Sequence, residues 1–179
     1  TSLRRRMQLL RLRPDLVNKN LRGNVNTRIR KLKEGEFDAI ILASAGINRL
    51  NLASEVRHFS PISKEDIIPA SGQAALGIEI IDDPEVEEIV SVLNDADAIV
   101  ETMVERDFIT VLEGGCQVPI GVNAQVYGDF LHVKAIVGLP DGSEVITEAM
   151  SGTRADFITL GEKLAEKVQT ISMLIFLKR

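Results

Sequence analysis

Apolar residues follow two different periods along this chain, and the change between them divides it. From Ser2 to Leu12, Leu3, Met7 and Leu10 fall at helical spacing, and Pro14 and Asp15 end the run. Leu16 to Leu21 reads as a short strand, and Val25 to Leu32 as a second amphipathic helix closed near Gly35. Asp38 to Ala43 is a continuous apolar run, as expected of a strand covered on both faces, and Ala45 to Leu52 returns to helix. Strand, helix, strand, helix predicts a parallel α/β sheet.

Ser60-Pro61 and Ile68 to Gly72 read as crossover segments. Ala75 to Ile81 is a further apolar strand candidate, and Pro84 to Leu93 and Ala96 to Leu112 are helical. From Gly121 the period becomes two: Val122, Ala124 and Val126 alternate with polar neighbours, as do Leu131, Val133, Ala135 and Val137. Gly128-Asp129 and Pro140 to Ser143 supply turns, Val145 to Met150 makes a third strand, and Phe157 to about Ile171 a closing helix. This second half predicts a small α+β unit, an antiparallel meander with helices on one face.

Charge changes this picture. Residues 1–57 carry net +8 and residues 58–179 net −13. The basic half is either a local anion site or a solvated helix face. With aromatics at 4% and an acidic remainder, nucleic-acid binding is disfavoured. No apolar run reaches the length of a membrane span. One cysteine in 179 residues cannot form an internal disulfide, so the expected compartment is the cytoplasm.

Three places carry candidate chemistry. Arg4-Arg5-Arg6 follows Ser2, a plausible N-cap, so the triplet sits where the helix dipole disfavours cations. Either a bound anion accounts for it, or the helix starts earlier and the triplet is mid-helix. Arg22-Gly23-Asn24 joins a strand to a helix, with Asn24 as cap and Arg28 following, and Arg49 comes after the next strand. In an open α/β sheet these positions share one edge, which suits a ligand with several carboxylates. Finally, Cys116 lies in Gly114-Gly115-Cys116-Gln117-Val118-Pro119. A lone cysteine is more often a small buried hydrophobe, but on a glycine-rich loop its thiolate can act as a nucleophile. With no second cysteine and with His58 and His132 far apart, no metal site is expected.

Glu105-Arg106, Leu112 and Glu113-Gly114-Gly115-Cys116-Gln117-Val118-Pro119-Ile120-Gly121 resemble the cofactor-attachment signature of the porphobilinogen deaminase (hydroxymethylbilane synthase) family. Ser2-Leu3-Arg4-Arg5, Leu21 to Val25 with Thr27-Arg28, Asp38 to Ala43, Ala45-Gly46 with Arg49-Leu50, and Pro69-Ala70 with Gly72-Gln73 and Gly77 to Glu79 are similar to that family in order and spacing. The resemblance weakens after about residue 150. It implies a periplasmic-binding-protein-like α/β portion followed by a three-stranded α+β domain. Residues 1–68 would be the second domain, N-terminally truncated, 69–95 a return segment of the first, and 96–179 the C-terminal domain bearing the cysteine.

The activity implied is that of a transferase. It joins four porphobilinogen molecules, releasing ammonia, to give hydroxymethylbilane for tetrapyrrole and heme synthesis, on a dipyrromethane primer held by a thioether to Cys116. Each pyrrole carries an acetate and a propionate. The resemblance assigns Arg4, Arg5, Arg22 and Ser2 to the cofactor, and Arg22, Arg28, Arg49, Asn24 and Gln73 to the substrate. It implies a monomer when complete, acting on a small molecule, with no nucleic acid or membrane partner. The family's catalytic aspartate has no counterpart here, so no catalytic residue is assigned and the chain alone is expected to be inactive, with Cys116 unmodified. Arg6 and Ala74 depart from the family pattern, which places glycine at 74. A non-enzymatic polycarboxylate-binding α/β module is the alternative reading.

Overall fold

The computed structural model describes residues 2–113 and 119–176. Its centre is a meander of β1 (Ile120–Tyr127), β2 (Phe130–Gly138) and β3 (Val145–Thr153), antiparallel and in the order β1-β2-β3. Gly128-Asp129 makes a two-residue turn, with Tyr127 opposite Phe130 and Gly128 at φ 63°. Two long helices, α5 (Ala96–Glu113) and α6 (Phe157–Phe176), cover one face. The period-two residues make that core: Val122, Ala124, Leu131, Val133 and Ala135 pack on Val104, Phe108, Leu160 and Leu164. Asp95 caps the start of α5 by accepting from the Asp97 and Ala98 amides, and a Thr153–Asp156 capping box turns the chain into α6.

The helices α5 and α6 cross at Gly161, where an added Cβ would fall against the Val104 carbonyl and lie 3.1 Å from the Phe108 nitrogen. Both obstacles are backbone and cannot swing away. Gly161→Ala should therefore destabilise the protein by about 1–3 kcal/mol, read as a lower urea midpoint at unchanged slope. Wild-type stability would show that the helices separate freely.

The other face of the sheet takes α1 (Leu3–Leu12), whose Met7 packs with Ile68 on Ile136. The remaining helices are α2 (Val25–Lys33), α3 (Ser44–Arg49) and α4 (Pro84–Ser91), and none of the described helices is long and apolar enough to cross a membrane.

The parallel sheet expected of the first half does not form among the described residues. Leu16–Leu21, Asp38–Ala43 and Ala75–Ile81, expected as strands, belong to no helix or sheet. A strand exists only through a neighbour that takes its main-chain hydrogen bonds, and an apolar run specifies burial without specifying that neighbour. The outcomes differ. Ile40, Ile41 and Leu42 line a cavity, whereas Leu76, Ile78 and Ile81 stay 76%, 56% and 70% exposed.

Candidate functional site

Arg4 and Arg5 enter the first turn of α1 because Ser2 caps it, its Oγ accepting from the Arg5 amide at 3.4 Å. The Arg4 guanidinium donates to the Ile68 carbonyl at 2.8 Å and to Gln73 Oε1 at 3.2 Å. Arg5 donates to the Ile41 carbonyl at 3.0 Å, Arg28 to the Gly23 carbonyl at 2.7 Å and Arg49 to the Ala74 carbonyl at 3.1 Å. Elsewhere several basic side chains find carboxylates, Arg13 taking Asp15, Arg30 Glu34 and Lys33 Glu55, while Arg11 donates to Thr147 Oγ1. Among the described residues, Arg4, Arg5, Arg28 and Arg49 thus have neutral partners only. A guanidinium has five donors, and one or two carbonyls leave most of them for a ligand.

Burial, and then the neighbouring Arg5 charge, lower the Arg4 pKa to about 10, while burial and then Arg28 lower that of Arg5. Both remain charged at neutral pH, so the positive potential is concentrated and uncompensated. Beside them lies a cavity of about 290 Å³, lined by Arg4, Arg5, His58, Lys64, Gln73 and Asn123 among mostly apolar neighbours and, among the described residues, by no acidic one. It offers cations, amides and an apolar wall, which is what a ring bearing carboxylates requires.

The expected site residues divide accordingly. Arg4, Arg5 and Gln73 meet at the cavity. Arg28 lies near enough to Arg5 to depress its pKa, and Arg49 bonds the residue next to Gln73. Ser2 and Asn24 do not line the cavity: both cap helices, Asn24 Oδ1 accepting from the Thr27 amide at 2.9 Å. Arg22 is exposed and does not line it either. Cys116 lies outside the described residues, although Asn123, a little further along β1, faces the cavity. Sequence reasoning missed Lys64, which has no motif around it, and Gln8, whose partner is distant in the chain; it weighed His58 only as a metal ligand and placed Glu105 in the family signature without a structural role.

Glu105 is 4% exposed. Its carboxylate accepts from the Gly72 amide at 2.6 Å, the Ala124 amide at 2.8 Å and Asn123 Nδ2 at 3.2 Å, and no ion pair involves it among the described residues. Burial raises its pKa above the usual 4.5; these hydrogen bonds oppose the rise and nearby Glu101 adds to it. A carboxyl with a raised folded-state pKa contributes stability below the unfolded value and loses it as pH climbs through the folded one. Relative to Glu105→Gln, the wild type should lose stability as pH rises from about 4.5, measured by chemical unfolding at stepped pH. A constant difference would contradict the assignment.

At residue 74, where the family resemblance expects glycine, Ala74 sits at φ 81°, in the left-handed region. The backbone holds the glycine conformation although the side chain differs. Ala74→Gly should raise stability by about 1 kcal/mol, read from the unfolding midpoint; a loss would mean that the alanine methyl has a packing role.

These residues stand within two matched regions. A family model for porphobilinogen deaminase, dipyromethane cofactor binding domain, matches residues 1–89, and one for porphobilinogen deaminase, C-terminal domain, matches residues 99–170. The chain belongs to the porphobilinogen deaminase family. The porphobilinogen deaminase of Campylobacter curvus is 60% identical over 167 residues, 93% of this chain and 54% of that protein. That of Campylobacter hominis is 56% identical over 179 residues, 100% of this chain and 58% of that protein. That of Sulfurimonas denitrificans is 55% identical over 166 residues, 92% and 53% respectively. The chain spans about half the length of these curated relatives. Within the family, the cavity's cations belong to the half that the family model describes as cofactor-binding.

Proposed function

We propose that this chain is the arginine-bearing and cysteine-bearing part of a transferase that polymerises four porphobilinogen molecules, with release of ammonia, to hydroxymethylbilane. The observation that carries the reading is the cavity at which, among the described residues, no acidic side chain stands and Arg4 and Arg5 are held by neutral partners only, in a chain of this family. The growing product is a polyanion, and guanidinium groups bind each carboxylate through paired N–H donors. Arg4 and Arg5 would hold carboxylates of the dipyrromethane cofactor, Arg28 and Arg49 those of incoming porphobilinogen, with Arg22 reaching from solvent and Gln73 orienting Arg4. Lys64 at the cavity wall extends the cationic lining, and His58 adds an imidazole beside it.

Cys116 would hold the cofactor as a thioether; bound there, the dipyrromethane supplies the pyrrole terminus on which the chain grows. The residues present fit such a group, because its acetates and propionates meet cations and its rings an apolar wall of Ile41, Leu42 and Ile62. Asp38–Ala43 and Ala75–Ile81 are read as strands of a two-lobed, periplasmic-binding-protein-like α/β portion, paired by the additional length that the relatives have. Residues 1–68, 69–95 and 96–179 then correspond to second domain, return segment and C-terminal domain. A monomer in the cytoplasm suits this reading.

The test is a chimera in which residues 1–179 replace the matching part of the Campylobacter curvus relative. It should convert porphobilinogen to bilane. A folded chimera that binds polycarboxylates without turnover would instead support an anion-binding module.

A further inference from the structure

Residues Ile68–Ala74 cross between the two halves of the chain with no helix or strand of their own. Main-chain segments of this kind are mobile unless pinned. This one is pinned twice. At its start, the Gln8 side chain, 1% exposed, pairs with Ile68 in both directions: Oε1 accepts from the Ile68 amide at 2.7 Å and Nε2 donates to the Ile68 carbonyl at 2.9 Å. Near its end, the Gly72 amide donates to Glu105 at 2.6 Å, and Glu105 is itself fixed to β1 through Ala124 and Asn123. Between the pins, Val122 of β1 donates to the Pro69 carbonyl at 3.1 Å. The Arg4 guanidinium holds the same strap at two points, the Ile68 carbonyl and Gln73.

We propose that Gln8 and Glu105 are positioning residues that set the Arg4 guanidinium through the Ile68–Ala74 strap. Arginine is long and flexible, and it points reproducibly only when its acceptors are themselves fixed. Gln8 fixes the first acceptor, the Ile68 carbonyl, which has a second lone pair for Arg4. Glu105 fixes the turn that presents Gln73. Space is closed as well: a Cβ on Gly121 would lie 2.9 Å from the Ile68 oxygen and 3.2 Å from Arg4 Cδ. The side-chain chemistry is specific. Position 8 needs a donor and an acceptor at once, which the Gln8 amide provides through Nε2 and Oε1. Glu105 needs acceptors on both oxygens, so Glu105→Gln keeps one oxygen for β1 and turns an NH₂ against the Gly72 N–H. Because α5 carries Glu105 and precedes Cys116 in the chain, the strap ties the arginine site to the cysteine-bearing half.

The value of this for carboxylate binding rests on the function proposed above, but its test does not, since it needs neither turnover nor ligand. In the 179-residue chain, side-chain nitrogen NMR should show rotation about the Arg4 Nε–Cζ bond slower than in exposed Arg22 by about tenfold or more, the effect of one to two net hydrogen bonds. Equal rates in the wild type overturn the proposal without any variant. Glu105→Gln should speed exchange of the Gly72 amide and accelerate Arg4 rotation about tenfold, with Arg13, paired to Asp15 away from the strap, unchanged. Gln8→Met, close in volume, should do the same through Ile68. If Gln8→Met does not fold, Glu105→Gln decides. Faster Gly72 exchange with unaltered Arg4 rotation would show that the strap is structural only.

Discussion

Cys116→Ser in the chimera should abolish both the mass increment and turnover. The wild-type intact mass is expected to exceed the sequence mass by two pyrrole units, and the serine variant to match its own sequence mass. The reason lies in ionisation. A thiol near its ordinary pKa of about 8.5 keeps a usable thiolate fraction at neutral pH and is intrinsically nucleophilic, whereas an unactivated hydroxyl is scarcely ionised at all. Loss of the anchoring nucleophile should reduce bilane formation by about a thousandfold or more. The fold should not move, because the core of α5, α6 and the sheet is built on Phe108, Leu131 and Leu164. An unmodified protein with full activity would sink the assignment of Cys116 and leave the chemistry to another residue.

How far the sequence foretold the structure depended on where each element finds its partner. The C-terminal half was legible because its partners are local: Tyr127 meets Phe130 across two residues, and the alternation at Leu131, Val133 and Ala135 faces the helices immediately before and after the meander. In Asp38–Ala43 the apolar run announced more burial than forms: Asp38 and Ala39 are exposed and Ile40 to Ala43 half-buried, since a strand also needs a neighbour, and Ile40 to Leu42 line a cavity instead. Ser2 and Asn24 were legible as caps, a role set within three residues, and they do not double as cavity residues here. The arginines were legible by residue type. Their acceptors were not, since main-chain carbonyls at Ile68, Ile41 and Ala74 have no signature in a sequence. Gln8 was silent for the same reason, and Glu105, though part of the family signature, gave no sign of its role, their partners lying 60 and 33 residues away.

Arg4→Leu or Arg5→Leu in the chimera should lower turnover of porphobilinogen by roughly a hundredfold each, equivalent to about 3 kcal/mol, while hardly changing stability. The two effects separate because of what each guanidinium touches. In the folded chain both groups are half-buried, unmatched by any carboxylate among the described residues, and pushed to lower pKa by burial first and then by a neighbouring charge, Arg5 for Arg4 and Arg28 for Arg5. Folding therefore pays for desolvating them and recovers only hydrogen bonds to neutral oxygens, each worth about 1 kcal/mol net. Leucine removes the desolvation cost along with those bonds, and the Ile68 carbonyl keeps its donor in Gln8. The thermal midpoint should accordingly shift by no more than a few degrees. A bound carboxylate reverses the balance, since removing its guanidinium leaves a charge without a partner in a partly dry site. Arg13→Leu is the control: its partner Asp15 is on the surface, where an ion pair contributes little, and it should alter neither quantity. Variants at Arg4 or Arg5 that unfold, yet turn over normally per folded molecule, would make these arginines structural. The cavity would then be a gap between packed elements and not a site for a polyanion.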